Sequence, residues 1–140
     1  MTTEVKYEIP TPADYCELRR ITGLSAKSEA AARVGLPNAC FTVTIYDDHQ
    51  LIGMGRVIGD GATAFQIIDV AVRPKYQGQG QGHGKVIMQQ IMDYIESVRQ
   101  PGTYVSLIAD YPADQLYAQF GFISTEPRSG GMYRHYPVEK

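Results

Sequence analysis

The sequence lacks a long hydrophobic run. No apolar stretch approaches the roughly 20 residues that a membrane-spanning helix needs. The opening residues, MTTEVKYEIP, contain no apolar core of the kind that defines a secretory signal. We therefore expect a soluble, cytoplasmic protein that has no membrane partner.

Cysteine and histidine are also scarce. The chain has two cysteines, Cys16 and Cys40, and three scattered histidines, and it contains no CxxC pair. This spacing predicts no metal site, and a cytoplasmic location predicts reduced thiols. A Cys16–Cys40 disulfide is the less favoured alternative.

Charge of one sign is not in excess. Lys and Arg number 13 and Asp and Glu number 15, which gives a formal net charge of −2 at pH 7. A nucleic-acid-binding domain is usually strongly basic, so we expect no nucleic-acid partner. The overall balance still allows a small basic pocket, because net charge does not describe local patches.

The chain does contain a regular series of short elements. With 140 residues and 44% hydrophobic residues, it is long and apolar enough for one domain over residues 1–140. Alternating patterns predict strands over 40–46, 51–59 and 64–72, and their short connections predict antiparallel neighbours. An amphipathic helix of about 14 residues and a strand over 103–109 follow, so this last strand should run parallel to the strand 64–72.

The flanking regions complete the expected fold. A strand over 3–9 precedes two short helices, one beginning at Pro12 and the other with Ser25 as N-cap. A short helix begins near Pro112, and GFIST and GMYRHYPV are interpreted as two final strands. The prediction is an α+β fold: a mixed sheet of about six or seven strands, with an antiparallel N-terminal meander, one βαβ crossover and about four flanking helices.

Four glycines, Gly78, Gly80, Gly82 and Gly84, occupy every second position just before the amphipathic helix. A glycine N–H can approach a ligand closely, and the residue tolerates positive φ. Several such residues at a helix start present N–H donors beside the positive end of the helix dipole. We expect a phosphate or pyrophosphate to bind here; the alternative is a surface loop that uses glycine only for turning.

Spacing excludes two common phosphate motifs. The P-loop pattern GxxxxGK[ST] would place Gln79 at its first glycine and Val86 at its hydroxyl residue. The dinucleotide pattern GxGxxG fails because its third glycine would be His83 or Lys85. The spacing observed is QxxGxG, beginning at Gln77.

This segment resembles the acyl-CoA signature of the GCN5-related N-acetyltransferase (GNAT) family, [QR]xxGx[GA], which lies between a long strand and an amphipathic helix. A second motif of that family, YxxxGF, matches Tyr117 to Phe122. The resemblance extends over roughly residues 40–125. It implies an acetyl-CoA-dependent N-acetyltransferase, with acetyl-CoA as the cosubstrate.

The resemblance also implies how the cofactor is held. Its pyrophosphate would lie on the backbone amides of Gln79 to Gly84, with added charge from Arg73, Lys75 and Lys85. The pantetheine arm would bond the main chain of Val70 and Val72, which requires a splay between the strands 64–72 and 103–109. The implied cofactor-binding residues are Val70, Ala71, Val72, Gln77, Gly78, Gln79, Gly80, Gln81, Gly82, His83, Gly84, Lys85 and Tyr117.

The implied chemistry is direct attack of a neutral amine on the thioester. Tyr117 lies where the family places the acid that protonates the leaving thiolate, and a tyrosine is protonated at neutral pH. Asp69 interrupts an apolar strand and is the first candidate for the proton acceptor; its alternative role is an ion pair with Arg56. Asp110 and Glu29 are weaker candidates.

The acceptor is expected to be the primary amine of a small molecule. Residues 20–38, 59–63 and 126–135 should form its pocket, where arginines such as Arg33 would favour an acid-bearing amine and aromatic residues an arylalkylamine or polyamine. A protein N-terminus or lysine side chain is an alternative acceptor, and an acyl-CoA-binding sensor without turnover is an alternative function. Many family members pair, so the resemblance also implies a homodimer.

Overall fold

A five-stranded mixed sheet forms the centre of the protein, as seen in a computed structural model that describes residues 3–78 and 80–138. The first four strands pair antiparallel in chain order, and the fifth runs parallel to the fourth. The predicted meander and parallel neighbour are therefore confirmed. The strands are β1 (Thr3–Lys6), β2 (Phe41–Asp47), β3 (Gln50–Gly59), β4 (Ala64–Val72) and β5 (Tyr104–Leu107).

Four α-helices lie in the described part of the chain, as predicted: α1 (Pro12–Ile21), α2 (Glu29–Gly35), α3 (His83–Val98) and α4 (Asp114–Ala118). Neighbouring residues of β3 point to opposite faces of the sheet. Ile52 packs with the α3 cluster, whereas Leu51 packs with the α1 and α2 cluster. The sheet therefore has α3 on one face and α1 and α2 on the other.

The long helix α3 approaches the sheet closely at Gly55. A Cβ at this position would lie 2.6 Å from Ile87 Cγ2 and 2.9 Å from Ile91 Cδ1. The face of α3 toward the sheet is fully buried and consists of Ile87, Met88, Ile91 and Ile95. Because Gly55 has no side chain, α3 and the loop before it can lie this near to the sheet.

The prediction that Ser25 caps α2 is wrong. Ser28, not Ser25, caps α2, because the Ser28 hydroxyl accepts the Ala31 N–H at 3.0 Å. The carbonyl and hydroxyl oxygens of Ser25 instead accept bonds from Arg19, so Ser25 lies before the helix and binds α1 rather than capping α2.

The two final strands do not form, and the described sheet has five strands rather than six or seven. Residues 122–138 include β-branched and aromatic residues at both ends, but no strand of the described chain pairs with them. Ile123, Met132 and Tyr133 are 88%, 94% and 89% exposed. A strand-like composition leads to a strand only when a partner is available, and in the described sheet β5 keeps an open outer edge.

Cys16 and Cys40 are free thiols. No helix within residues 3–78 and 80–138 is long and apolar enough to cross a bilayer. The same residues contain no group of three or more His, Cys, Asp or Glu side chains that could hold a metal ion.

Candidate active site

A β-bulge interrupts the pairing of β3 with β4. Met54 pairs with Ala71 and Arg56 pairs with Ile68, so Asp69 and Val70 together lie opposite Gly55. Asp69 has a φ of 60°, in the left-handed region that aspartate tolerates better than most residues. Strained backbone of this kind often marks a functional site.

The bulge brings the Asp69 carboxylate into a buried ionic cluster with α1. Its Oδ1 accepts a bond from Arg19 Nη1, and its Oδ2 accepts bonds from Arg56 Nη1 and the Tyr15 hydroxyl, both at 2.8 Å. The Asp69 side chain is 4% exposed, and each arginine side chain is 7% exposed. The ion pair with Arg56, expected as the alternative role of Asp69, is confirmed.

Tyr15 is part of the same cluster. Burial, followed by the nearby Asp69 charge, raises the pKa of Tyr15 to about 12, so its hydroxyl remains a donor at neutral pH. A carboxylate has about four lone-pair sites, and three donors already occupy those of Asp69. About one site is therefore left for an incoming amine.

The predicted splay beside the bulge is confirmed. β4 pairs with β5 only over residues 64–67 and 104–107, while β4 itself continues to Val72. The Arg73 N–H donates to the Ile52 carbonyl on the β3 side at 2.7 Å, so the main-chain groups of Val72 face the opposite, open side. Gln77 Nε2 donates to the Val72 carbonyl at 2.7 Å and thereby ties the glycine loop to the strand.

The glycine loop uses backbone that favours glycine. Gly80 and Gly82 have φ of 85° and 70°, and a Cβ added at either position would meet nothing within 4 Å. Gly82 is the N-cap of α3, and no side chain of the described residues caps this end. The first amides of α3 are therefore left for a ligand or solvent. Gln79 lies outside the described residues.

The loop, the open side of β4 and α4 together surround a cleft of about 1170 Å³, which we call the cofactor cleft. Gln81 is not among its lining residues; it donates to the Gln77 carbonyl at 2.8 Å. Beyond Tyr117, no sequence pattern indicates which residues of the α4 region line the cleft. They are Pro112, Ala113, Gln115, Leu116 and Gln119. The predicted cofactor-binding residues that line the cleft are Val70, Ala71, Val72, Gln77, Gly78, Gly80, Gly82, His83, Gly84, Lys85 and Tyr117.

Tyr117, in α4, is 9% exposed and borders the cofactor cleft. Burial, followed by the negative charge of Asp110, raises the pKa of Tyr117 above its ordinary value. Within the described residues its hydroxyl has no hydrogen-bond partner. Tyr117 is thus a protonated, available donor at neutral pH.

A central cavity of about 420 Å³ adjoins the cofactor cleft and contains the three candidate groups for proton transfer, Asp69, Asp110 and Tyr117. On its other side lies a cleft of about 660 Å³ between α1, α2 and the sheet, which we call the basic cleft. Arg19, Asp69 and Ile108 line both the central cavity and the basic cleft. The central cavity therefore lies between the cofactor cleft and the basic cleft.

Other residues singled out in the sequence have different surroundings. Arg73 Nη2 bonds Glu17 at 2.7 Å and the Leu51 carbonyl at 2.9 Å, so its charge is already paired. Lys75 lies over the Tyr76 ring, 5.8 Å from its centroid. Glu29 and Arg33 are exposed on α2, and neither lines the basic cleft or the central cavity.

Comparison with known proteins identifies related sequences. The family model described as an acetyltransferase (GNAT) domain matches residues 37–124. An uncharacterized N-acetyltransferase of Gracilaria tenuistipitata var. liui is 28% identical over 110 residues, which is 76% of this chain and 58% of that protein. The chloroplastic GCN5-related N-acetyltransferase 2 of Arabidopsis thaliana is 35% identical over 86 residues, which is 61% of this chain and 32% of that protein. The chain therefore spans between a third and three fifths of these relatives.

A solved structure is more similar. The crystal structure of a protein of unknown function from meticillin-resistant Staphylococcus aureus is 60% identical to this chain, with a TM-score of 0.92. The match covers 96% of this chain and 100% of that one. The residues around the three neighbouring spaces thus belong to a fold that an experimental structure shares.

Proposed function

Because this chain belongs to the GCN5-related N-acetyltransferase (GNAT) family, we propose that it transfers the acetyl group of acetyl-CoA directly to the primary amine of a small molecule. One observation carries the proposal: a donor-rich glycine loop, an opened strand edge and an unpartnered tyrosine hydroxyl border a single cleft. The basic cleft borders the central cavity, and its volume of about 660 Å³ suits a small acceptor.

In the proposed complex, the pyrophosphate of acetyl-CoA accepts bonds from the backbone amides of the loop from Gln79 to Gly84. The positive end of the α3 dipole and Lys85, which lines the cleft, favour the negative charge. The pantetheine arm lies along the open side of β4 and bonds Val70 and Val72. Because Gln77 already bonds the Val72 carbonyl, the arm meets a strand edge whose position the loop itself fixes.

The proposed reaction is nucleophilic acyl transfer. A neutral amine nitrogen attacks the thioester carbonyl carbon, and a main-chain N–H of the opened strand stabilises the negative charge that develops on the oxygen. As the carbon–sulfur bond breaks, the Tyr117 hydroxyl protonates the thiolate of coenzyme A. Burial of Tyr117 and its missing hydrogen-bond partner support this role.

Two carboxylates in the central cavity are available for the proton of the amine, Asp69 and Asp110. We keep Asp69 as the proposed proton acceptor. Because its carboxylate also bonds two guanidinium groups, it would hold both the amine and the two arginines in place. Asp110 is exposed at the rim of the cavity, where it can pass a proton to solvent. If Asp69 is the acceptor, Asp69→Asn should lower the rate mainly at low pH, where few amines are neutral.

Release of free thiol from acetyl-CoA with a panel of primary amines tests the proposed activity. Transfer to at least one small amine, with loss of turnover in Tyr117→Phe, is the expected result. Binding of acetyl-CoA without thiol release for any amine would instead identify a sensor. Release with peptides only would identify a protein acetyltransferase.

We further propose that the protein works as a homodimer. Residues 122–138 expose a group of large apolar side chains, among them Met132 at 94% and Tyr133 at 89%, and exposed patches of this kind are commonly interfaces. Residues 122–125 and β5, which is an edge strand of the described sheet, border the same cavity. Light scattering should give twice the chain mass, and replacing Met132 and Tyr133 by aspartate should give the mass of one chain. A monomeric wild-type protein would contradict the proposal.

A further inference from the structure

We propose that the acceptor amine carries a separate acidic group, a carboxylate or a phosphate, and that the basic cleft binds this group. The inference rests on the proposed acetyl transfer and names the chemical class of its substrate. It depends on the buried charges of the cleft, which the transfer chemistry itself does not require.

The basic cleft has an excess of positive charge. Its lining contains three cationic side chains, Arg19, Lys27 and Arg56, and one carboxylate, Asp69, a net charge of +2. Asp69 balances the charge of only one of the two buried guanidinium groups that contact it. Burying a charge without a counter-ion is costly, so the cleft favours a ligand that brings a negative charge.

Arg56 provides a second, independent observation. It is 6% exposed; its Nη1 bonds Asp69, and its Nη2 bonds the Gly35 carbonyl at 2.9 Å. Its Nε is buried and has no partner among the described residues. Buried donors are normally satisfied, so this one leaves the buried guanidinium short of an acceptor and adds to the unbalanced positive charge around the cleft.

The charges around the basic cleft and the central cavity predict how the acceptor is oriented. Lys27 lies at the exposed rim of the basic cleft, whereas Asp110 lies in the central cavity beside Tyr117. A cationic amine end is attracted toward Asp110 and Asp69, and an acidic end is repelled from Asp110 and attracted toward Lys27. The acceptor would therefore lie with its amine near the thioester and its acid between α2 and the sheet.

The apolar part of the lining limits the segment between the two ends. Ala32, Leu36, Ile58 and Ile68 line the basic cleft between its charged residues. A short aliphatic or aromatic stem would cover these side chains. The substrate class is thus a compact amino acid or aminoalkyl phosphate, rather than a polyamine, whose positive charges the cleft would repel.

Paired ligands test the inference on protein saturated with coenzyme A, which fills the loop so that an anion cannot bind there. O-phosphoethanolamine is compared with ethanolamine, and β-alanine with propylamine, by calorimetric titration. We expect the acid-bearing member of at least one pair to bind about tenfold or more tightly. The pair that shows the difference identifies the acid as phosphate or carboxylate.

Variants of two basic side chains locate the effect. Lys27→Glu reverses a charge at an exposed rim position and should remove most of the preference for the acid-bearing ligand. Arg33→Glu makes the same change on α2 outside the cleft and should leave the preference intact. Equal binding of acidic and neutral amines, or equal effects of the two variants, would overturn the inference.

The outcome also separates this inference from the proposed activity. Thiol release at equal rates with acidic and neutral amines would keep the acetyltransferase and remove the acid-bearing acceptor. Acid-dependent binding that Lys27→Glu abolishes, without thiol release, would keep the anion site and remove the enzyme.

Discussion

Replacing Asp69 by asparagine should lower the free energy of unfolding by about 3–5 kcal/mol, because removing one partner of a buried ion pair leaves the other charge uncompensated. Here two guanidinium groups, each on a side chain that is 7% exposed, lose the same carboxylate. Asparagine has nearly the same size and also tolerates the left-handed φ of 60°. The substitution therefore removes the charge and keeps the bulge. A loss of this size is a large part of the stability of an ordinary domain, about 5–15 kcal/mol.

Urea unfolding followed by circular dichroism at neutral pH measures this effect. Asp93→Asn is the matched control, because Asp93 is exposed on α3 and, among residues 3–78 and 80–138, bonds only Gln89, at 2.9 Å. It should change stability by no more than about 0.5 kcal/mol. Added sulfate should restore part of the loss in Asp69→Asn by taking the place of the carboxylate. If Asp69→Asn unfolds at the same urea concentration as Asp93→Asn, the cluster does not hold these charges as argued.

Three further substitutions test other parts of the site and fold. Tyr117→Phe should lower turnover more than it weakens coenzyme A binding. Because the pKa of Tyr117 is raised, the hydroxyl of the wild-type protein stays protonated at neutral pH, and the wild-type rate should not fall on the alkaline side until the pH exceeds the ordinary tyrosine pKa. A variant with the wild-type rate at every pH would end the role of Tyr117 as the acid. Gly82→Asp should abolish coenzyme A binding in a titration while Gly82→Asn, which tolerates the same φ, retains it; equal binding would mean that the loop does not hold phosphate. Gly55→Ala should lower the free energy of unfolding by about 1–3 kcal/mol, because its Cβ would lie 2.6 Å from Ile87 Cγ2, and unchanged stability would show that α3 can move away.

The parts of the structure that depend on local pattern could be predicted from the sequence. The connections between β2, β3 and β4 are short, and the amphipathic face of α3 is regular, so local rules suffice for both. Most cofactor-cleft residues were also predictable, since one loop and one strand end supply them. The cleft residues around α4 were less predictable, because they reach the cleft only through the folding of residues 112–119.

Interactions between distant residues could not be predicted. Asp69 was recognised as an unusual charge in an apolar strand, but Arg19 is 50 residues away in α1, and nothing local indicates that their side chains meet. Arg73 was expected near phosphate and instead pairs with Glu17, 56 residues away. The prediction of two final strands is wrong for a related reason. A strand needs a neighbour, and its own sequence does not show whether that neighbour exists in the same chain.

The identity of residue 69 connects the two halves of the proposed site. The bulge requires a residue that tolerates a φ of 60°, and the buried arginines require a negative charge. Glycine would meet only the first requirement and glutamate only the second, whereas aspartate meets both. The same bulge lies within the stretch of β4 after Ile67 that no longer pairs with β5, so the residue that gathers the acceptor-side charges lies where the cofactor-side strand opens. Because glycine keeps the bulge and removes the carboxylate, Asp69→Gly should retain coenzyme A binding, while the net charge of the basic cleft rises from +2 to +3 and the preference for acid-bearing amines increases. Loss of coenzyme A binding would mean that the carboxylate, and not the backbone of the bulge, keeps the cofactor-side strand open.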